Sequence, residues 1–263
     1  MRRFFLIGII LGFFLLIHAP VSAGSFKAVP VKVFLDAQTK TTVLSVLNQG
    51  DERVTIQLDA KSWQQDDTGK DLYGETRDII FFPKIATIEK GQEQIIRIGY
   101  QGMQETREKT YRLFMQELPV SKPGEMALKL ALTLSIPVFV KPAKEGAPDW
   151  TAEGAGLSEE TLRVKVRNSG NKHIMVSKIR AAGLDDSGKE VFSADAAGWY
   201  TLAGTAKIFQ VPVAYESCLK IKTLQVTTEV EKDKKTFSLN VEKGMCTRKP
   251  EDAPKRTKEK TAH

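Results

Sequence analysis

A chain of 263 residues is long enough for two domains of ordinary size or one large β-barrel. Its formal charge of +7 argues against nucleic-acid binding once it is located. Two positive charges lie in the first 23 residues and a net +3 in the last 16, which leaves 31 basic against 29 acidic side chains in 24–247.

The chain opens with Arg2 and Arg3, an apolar run over 4–17, and the small residues Val21, Ser22 and Ala23. That order predicts a cleaved secretory signal over 1–23. No other segment approaches the roughly 18 uninterrupted apolar residues of a membrane helix, so the mature chain, 24–263, is expected to be exported and not embedded in a membrane.

Short β-rich runs then alternate with turns. "FKAVPVKVFL" and "TTVLSVLN" precede the turn Gln49-Gly50-Asp51, and "VTIQLDAKSW" precedes "DDTGKD", which fits a hairpin turn better than a calcium loop. "IIFFPKIATI", "EQIIRIGY" and "YRLFMQEL" follow. The next run, "MALKLALTLSIPVFVKP", sets Met126, Leu128, Leu130, Leu132, Leu134 and Ile136 at every second position, with small or polar residues between them. This ladder serves either the chain's own core or a partner, and alternation alone favours the core. Pro142, Gly146 and Pro148 interrupt the pattern as a linker would. A second β-rich series runs to Cys246, and a Pro- and Lys-rich stretch, 248–263, reads as a basic disordered tail. The fold class expected is all-β, with two tandem β-sandwiches over 24–142 and 143–247.

Cys218 and Cys246, in an oxidising compartment, are expected to form a disulfide. Neither has a histidine near it in sequence, which argues against a metal site. Catalytic signatures are missing: His18 leaves with the signal, His263 is the last residue, and His173 reads as a surface-loop histidine. There is no nucleophile elbow and no phosphate-cradling Gly-Lys-Ser/Thr loop, so neither an enzyme nor a cofactor is expected. Only a carboxylate-based hydrolase, which leaves no local signature, escapes that argument.

In combination, "VKVFLDAQTKTTVLSVLNQGDE", "WQQDDTG", "IIFFPKIATIEKGQEQIIRIG", "YRLFMQELP" and "LKLALTLSIPVFVKP" resemble the periplasmic PapD-like pilus chaperones over most of 28–142, and "LSIPVF" resembles their divergent, archaic branch. The resemblance implies two immunoglobulin-like sandwiches in a boomerang arrangement, located in the periplasm. It implies pilus or fimbrial subunits and an outer-membrane usher as partners, with the 126–136 strand lent to a subunit by strand addition. Leu128, Leu130 and Leu132 would plug the subunit's groove, and an unshielded ladder would also let two free copies pair.

By the same resemblance, Lys32 takes the place of the basic residue that grips a subunit's terminal carboxylate, where Arg is more usual. Glu108 and Lys141 match an ion pair that sets the interdomain angle. Pro137 stands where the best-known branch has a second anchoring Lys, so a double anchor is not implied. The competing reading is a secreted two-domain adhesin or scaffold whose ladder is internal.

Overall fold

The structure is a computed structural model that describes residues 26–118 and 131–250. The expected signal over 1–23, residues 251–263 of the expected tail, and Met126, Leu128 and Leu130 lie outside the described residues.

The first ten strands are β1 (Phe26–Val29), β2 (Val33–Leu35), β3 (Thr41–Asn48), β4 (Val54–Gln65), β5 (Asp71–Glu75), β6 (Ile79–Phe82), β7 (Ile85–Ile88), β8 (Glu93–Tyr100), β9 (Lys109–Glu117) and β10 (Thr133–Val140). They form two sheets, one ordered β1-β3-β8-β6 and the other β2-β10-β9-β4-β5, with β7 also pairing β4. Alternation explains the packing. Along β4, Val54, Ile56, Leu58 and Ala60 are buried while the residues between them are more exposed. Together with Leu44, Val46, Ile96, Ile98, Leu113 and Met115 they fill the space between the sheets.

Two runs that read as single strands are each divided between the sheets. "FKAVPVKVFL" becomes β1 on one sheet and β2 on the other, and "IIFFPKIATI" becomes β6 and β7. Each break holds a proline, Pro30 or Pro83, which cannot donate a ladder hydrogen bond.

Residues 141–149 carry no strand. The second series is β11 (Trp150–Ser158), β12 (Thr161–Asn168), β13 (Ile174–Leu184), β14 (Glu190–Ala197), β15 (Tyr200–Thr201), β16 (Ala206–Pro212), β17 (Thr223–Val230) and β18 (Asp233–Asn240), with one short helix, α1 (Tyr215–Cys218). Sheets ordered β11-β12-β16 and β14-β13-β17-β18 enclose a second core around Leu162, Val164, Ile179, Val211 and Val226. The Cys218–Cys246 disulfide ties α1 to the residue after the last 3-10 turn, across a separation of 28 residues. Closing a loop of that length is worth about 3–4 kcal/mol on a chain-entropy estimate. The molecule is thus two stacked-sheet units of all-β structure, the two-domain sandwich architecture.

A buried asparagine anchors a turn in each unit. The Asn48 side-chain amide donates to the Glu52 and Ile88 carbonyls, and its Oδ1 accepts from Gly50 N. Asn168 does the same with the Lys172, Thr201 and Leu202 carbonyls and Gly170 N. Both asparagines end a strand, so each satisfies the backbone groups that a turn leaves open.

Candidate functional site

β10 changes character along its length. Over 138–140 it lies between β9 and a parallel β2, whose Val33, Phe34 and Leu35 pair Val138, Phe139 and Val140. Over 133–137 it pairs β9 alone, and among the described residues nothing pairs its other edge. The ladder's side chains grade accordingly. Ile136 is 6% exposed and belongs to the first core, while Leu134 and Leu132 are half-buried against it. The described part of the ladder therefore faces the chain's own core and loosens toward residue 131.

The opposite face of that sheet carries charge. Pro137 pairs Arg112 of β9, and Arg112 pairs Lys61 of β4. Lys32 precedes Val33, the partner of Val138, so it stands beside Pro137. Lys32, Pro137, Arg112 and Lys61 thus form one row across four segments. Lys61 is neutralised by Asp59 at 2.9 Å and Glu75 at 2.6 Å. Neither Lys32 nor Arg112 has a carboxylate within salt-bridge distance among the described residues.

Arg112 is 4% exposed, and its guanidinium lies 3.8 Å from the Trp63 ring, 5.4 Å from Trp199 and 5.6 Å from Tyr200. Burial pulls its pKa below the ordinary arginine value, opposed by Tyr73, Asp71 and Tyr200. Aromatic faces stabilise the cation without using its N–H groups. Nε and Nη2 of Arg112 and the indole N–H of Trp63 are buried with no acceptor. The Lys32 ammonium lies 5.2 Å from the ring of the same Tyr200. Two cations of the first unit thus converge on one aromatic ring of the second. Three unspent donors beside a desolvated positive charge suit an anionic acceptor, above all a carboxylate, which an arginine fork can bind at two points.

Next to this row the two units share an aromatic seam of Trp63, Phe139, Tyr200 and Leu202. His173 belongs to it and is not a surface-loop residue: its ring stacks on Phe139 at 3.7 Å and meets Tyr200 edge-on at 5.5 Å. Its Nδ1 lies 2.7 Å from Glu108 Oε2, which also accepts the His173 backbone N–H at 2.8 Å. The expected Glu108–Lys141 pair is therefore not formed. Glu108 is taken by His173 and Lys141 by Glu145 at 3.5 Å, and Glu145 also pairs Lys172 at 3.1 Å. A partner offering both a backbone N–H and an imidazole, inside the seam, outcompetes a lysine at its rim. The Lys172 bond, with smaller help from Lys141, holds the Glu145 carboxyl below its usual range.

Residues 66–70 are a hairpin turn, with Asp66 Oδ1 accepting from Thr68 N, Thr68 Oγ1 and Lys70 N. The turn also docks on the second unit, where Ile208 N donates to the Thr68 carbonyl at 3.2 Å. A polar cleft of about 660 Å³ opens alongside, between β4, β9 and the 202–205 segment. On its wall the Tyr111 hydroxyl donates to Asp78 Oδ2, and burial together with that bond raises its pKa.

Among the described residues, no three His, Cys, Asp or Glu side chains are grouped as metal ligands would be, and no helix is long and apolar enough to cross a membrane.

Two β-sandwich units, an open-edged strand and, among the described residues, two cations without a carboxylate partner where the units meet make up the candidate site. Residues 25–145 match the family described as pili and flagellar-assembly chaperone, PapD N-terminal domain. No curated protein matches the sequence significantly. Solved structures share the fold over most of the chain. The CsuC–CsuE chaperone–tip adhesion subunit pre-assembly complex, from the archaic chaperone-usher Csu pili of Acinetobacter baumannii, is similar at 19% identity and TM-score 0.59, covering 87% of this chain and 100% of that one. The Salmonella enterica SafA pilin in complex with the SafB chaperone is similar at 16% and 0.57, covering 82% and 97%. The Pseudomonas aeruginosa CupB2 chaperone is similar at 16% and 0.52, covering 82% and 100%.

Proposed function

We propose that this protein is a periplasmic chaperone that holds pilus or fimbrial subunits and passes them to an outer-membrane usher, binding without catalysis. The observation that carries the reading is the free edge of β10 over 133–137, in line with a sequence alternation that runs back through Leu130, Leu128 and Met126. Such an edge offers main-chain hydrogen bonds to an added strand, and its alternate leucines would extend the chain's own core into the guest. Burying three leucines is worth about 5–9 kcal/mol before the costs of association.

Lys32 then anchors the guest's terminal carboxylate, with Arg112 as the second cation. Pro137 stands where a second anchoring lysine would lie, and its cross-strand neighbour Arg112 supplies the charge from β9. The seam of Glu108, His173 and Phe139 sets the interdomain angle. On the sheet away from β10, Val43, Ile80, Phe82 and Ile95 leave an apolar surface free for an usher while a subunit is held. Residues 24–142 and 143–247 are the two domains of this reading.

The burial of Ile136 favours the second reading, an adhesin or scaffold with an internal ladder. A pull-down from native periplasm with tagged mature chain separates the two. The chaperone reading expects a small β-rich protein bound by the wild type and lost with a folded Leu132→Asp variant. A scaffold would retain no such guest with either chain.

A further inference from the structure

The carboxylate site reaches across the domain boundary, and the hairpin of β4 and β5 holds its far wall in place. Gln65 and Asp71 pair across that hairpin. The Gln65 amide donates to the Tyr200 carbonyl at 2.9 Å and to Asp71 Oδ1 at 3.0 Å. Its Oε1 accepts from Leu202 N at 2.9 Å and from Thr205 Oγ1 at 3.0 Å. Asp71 Oδ2 accepts the Trp199 indole N–H at 2.9 Å. Two side chains of the first unit thus grasp residues 199–205 of the second and present Trp199 and Tyr200 to Arg112.

Asp71 is also the carboxylate whose charge offsets Arg112, yet its oxygens are taken by Gln65 and Trp199. The arginine keeps its nitrogens unspent beside a counter-charge that does not occupy them. Trp199, 38% exposed, and the more deeply buried Tyr200 screen it from water, which strengthens any charge-assisted bond made there.

We propose that Gln65 and Asp71 are positioning residues that make carboxylate capture depend on docking of the second domain. Breaking this clip leaves Lys32 and Arg112 in place but lets the aromatic wall drift and water in. A guest's terminal carboxylate is then held only when the two domains are closed on each other, whereas strand addition along β10 needs the first domain alone. This rests on the carboxylate anchor proposed above.

The test uses the mature chain and N-acetyl-Gly-Gly-Ala with a free carboxylate, against its C-terminal amide. The readouts are the Arg112 Nε–H NMR resonance and the fluorescence of Trp63 and Trp199. The proposal expects the free-acid peptide, and not the amide, to shift the Arg112 signal in the wild type. Gln65→Ala should weaken that binding about tenfold, the scale on which supporting hydrogen bonds act, with core resonances of the first domain unmoved. Trp199→Phe keeps a ring but loses the bond to Asp71, and should weaken binding less; it serves if Gln65→Ala does not fold. Wild-type affinity in both variants would overturn the positioning role while leaving the anchor intact. If the wild type itself gives no free-acid response, the anchor falls and the proposal with it.

Discussion

The two ends of β10 belong to one strand but not to one environment. Over 138–140 the strand has neighbours on both edges, one face in the first core and the other under the aromatics of the second unit, so every residue is buried. Over 133–135 one edge is open and burial alternates between half-buried and exposed. Regular alternation marks the end facing water, and its loss marks the end where a second domain covers the other face. Fixed structure and the proposed binding strand are thus built from a single continuous element, with Pro137 at the junction.

The comparison can be broken most strongly at its fixed end. Phe139→Ala removes the ring at the centre of the seam and should cost about 3–5 kcal/mol, read from urea denaturation. A cost below 1 kcal/mol would mean the seam does not hold the domains. Next comes the gradient along the ladder. Ile136→Ala should cost about 2–4 kcal/mol, and Leu132→Ala about 1 kcal/mol because it is only partly buried. Equal costs at the two positions would erase the distinction between the ends.

Arg112→Met separates stability from function. Replacing a buried cation whose Nε and Nη2 have no acceptor by a side chain of similar size should leave stability unchanged or raise it by about 1–2 kcal/mol, while subunit capture falls. Strong destabilisation would instead make Arg112 a structural residue. The smallest effect on folding belongs to Lys32→Ala, about 0.5–1 kcal/mol from the lost contact with Tyr200, again with weaker capture. Unchanged capture would remove Lys32 from the anchor.

The all-β class and most strands are legible in the sequence because alternation and turn residues report them locally. So is the disulfide, since two cysteines allow one pairing. Prolines inside apolar runs read as minor interruptions, although Pro30 and Pro83 are where the chain changes sheets; sheet membership depends on distant partners. The same limit hides much of the site. Arg112 reads as an outward residue between Tyr111 and Leu113, and outward residues normally meet water. Only the second unit, arriving with Tyr200 nearly 90 residues later, turns that outward face into an interior. His173 reads as a surface-loop histidine for the same reason, because its polar neighbours say nothing of Phe139 and Glu108. Lys32 is singled out by resemblance alone, and the partner of Glu108 is a histidine that no local pattern pairs with it.

The central claim is that the open edge of β10 is kept for a guest strand. Hydrogen exchange at the amides of 132–136 that face away from β9 tests it directly, in the free chain and in the chain co-purified with a subunit from periplasm. The account predicts fast exchange in the free protein and strong protection in the complex, with 138–140 protected in both. Equal protection of 132–136 in the two states would contradict it and make the ladder part of a closed fold.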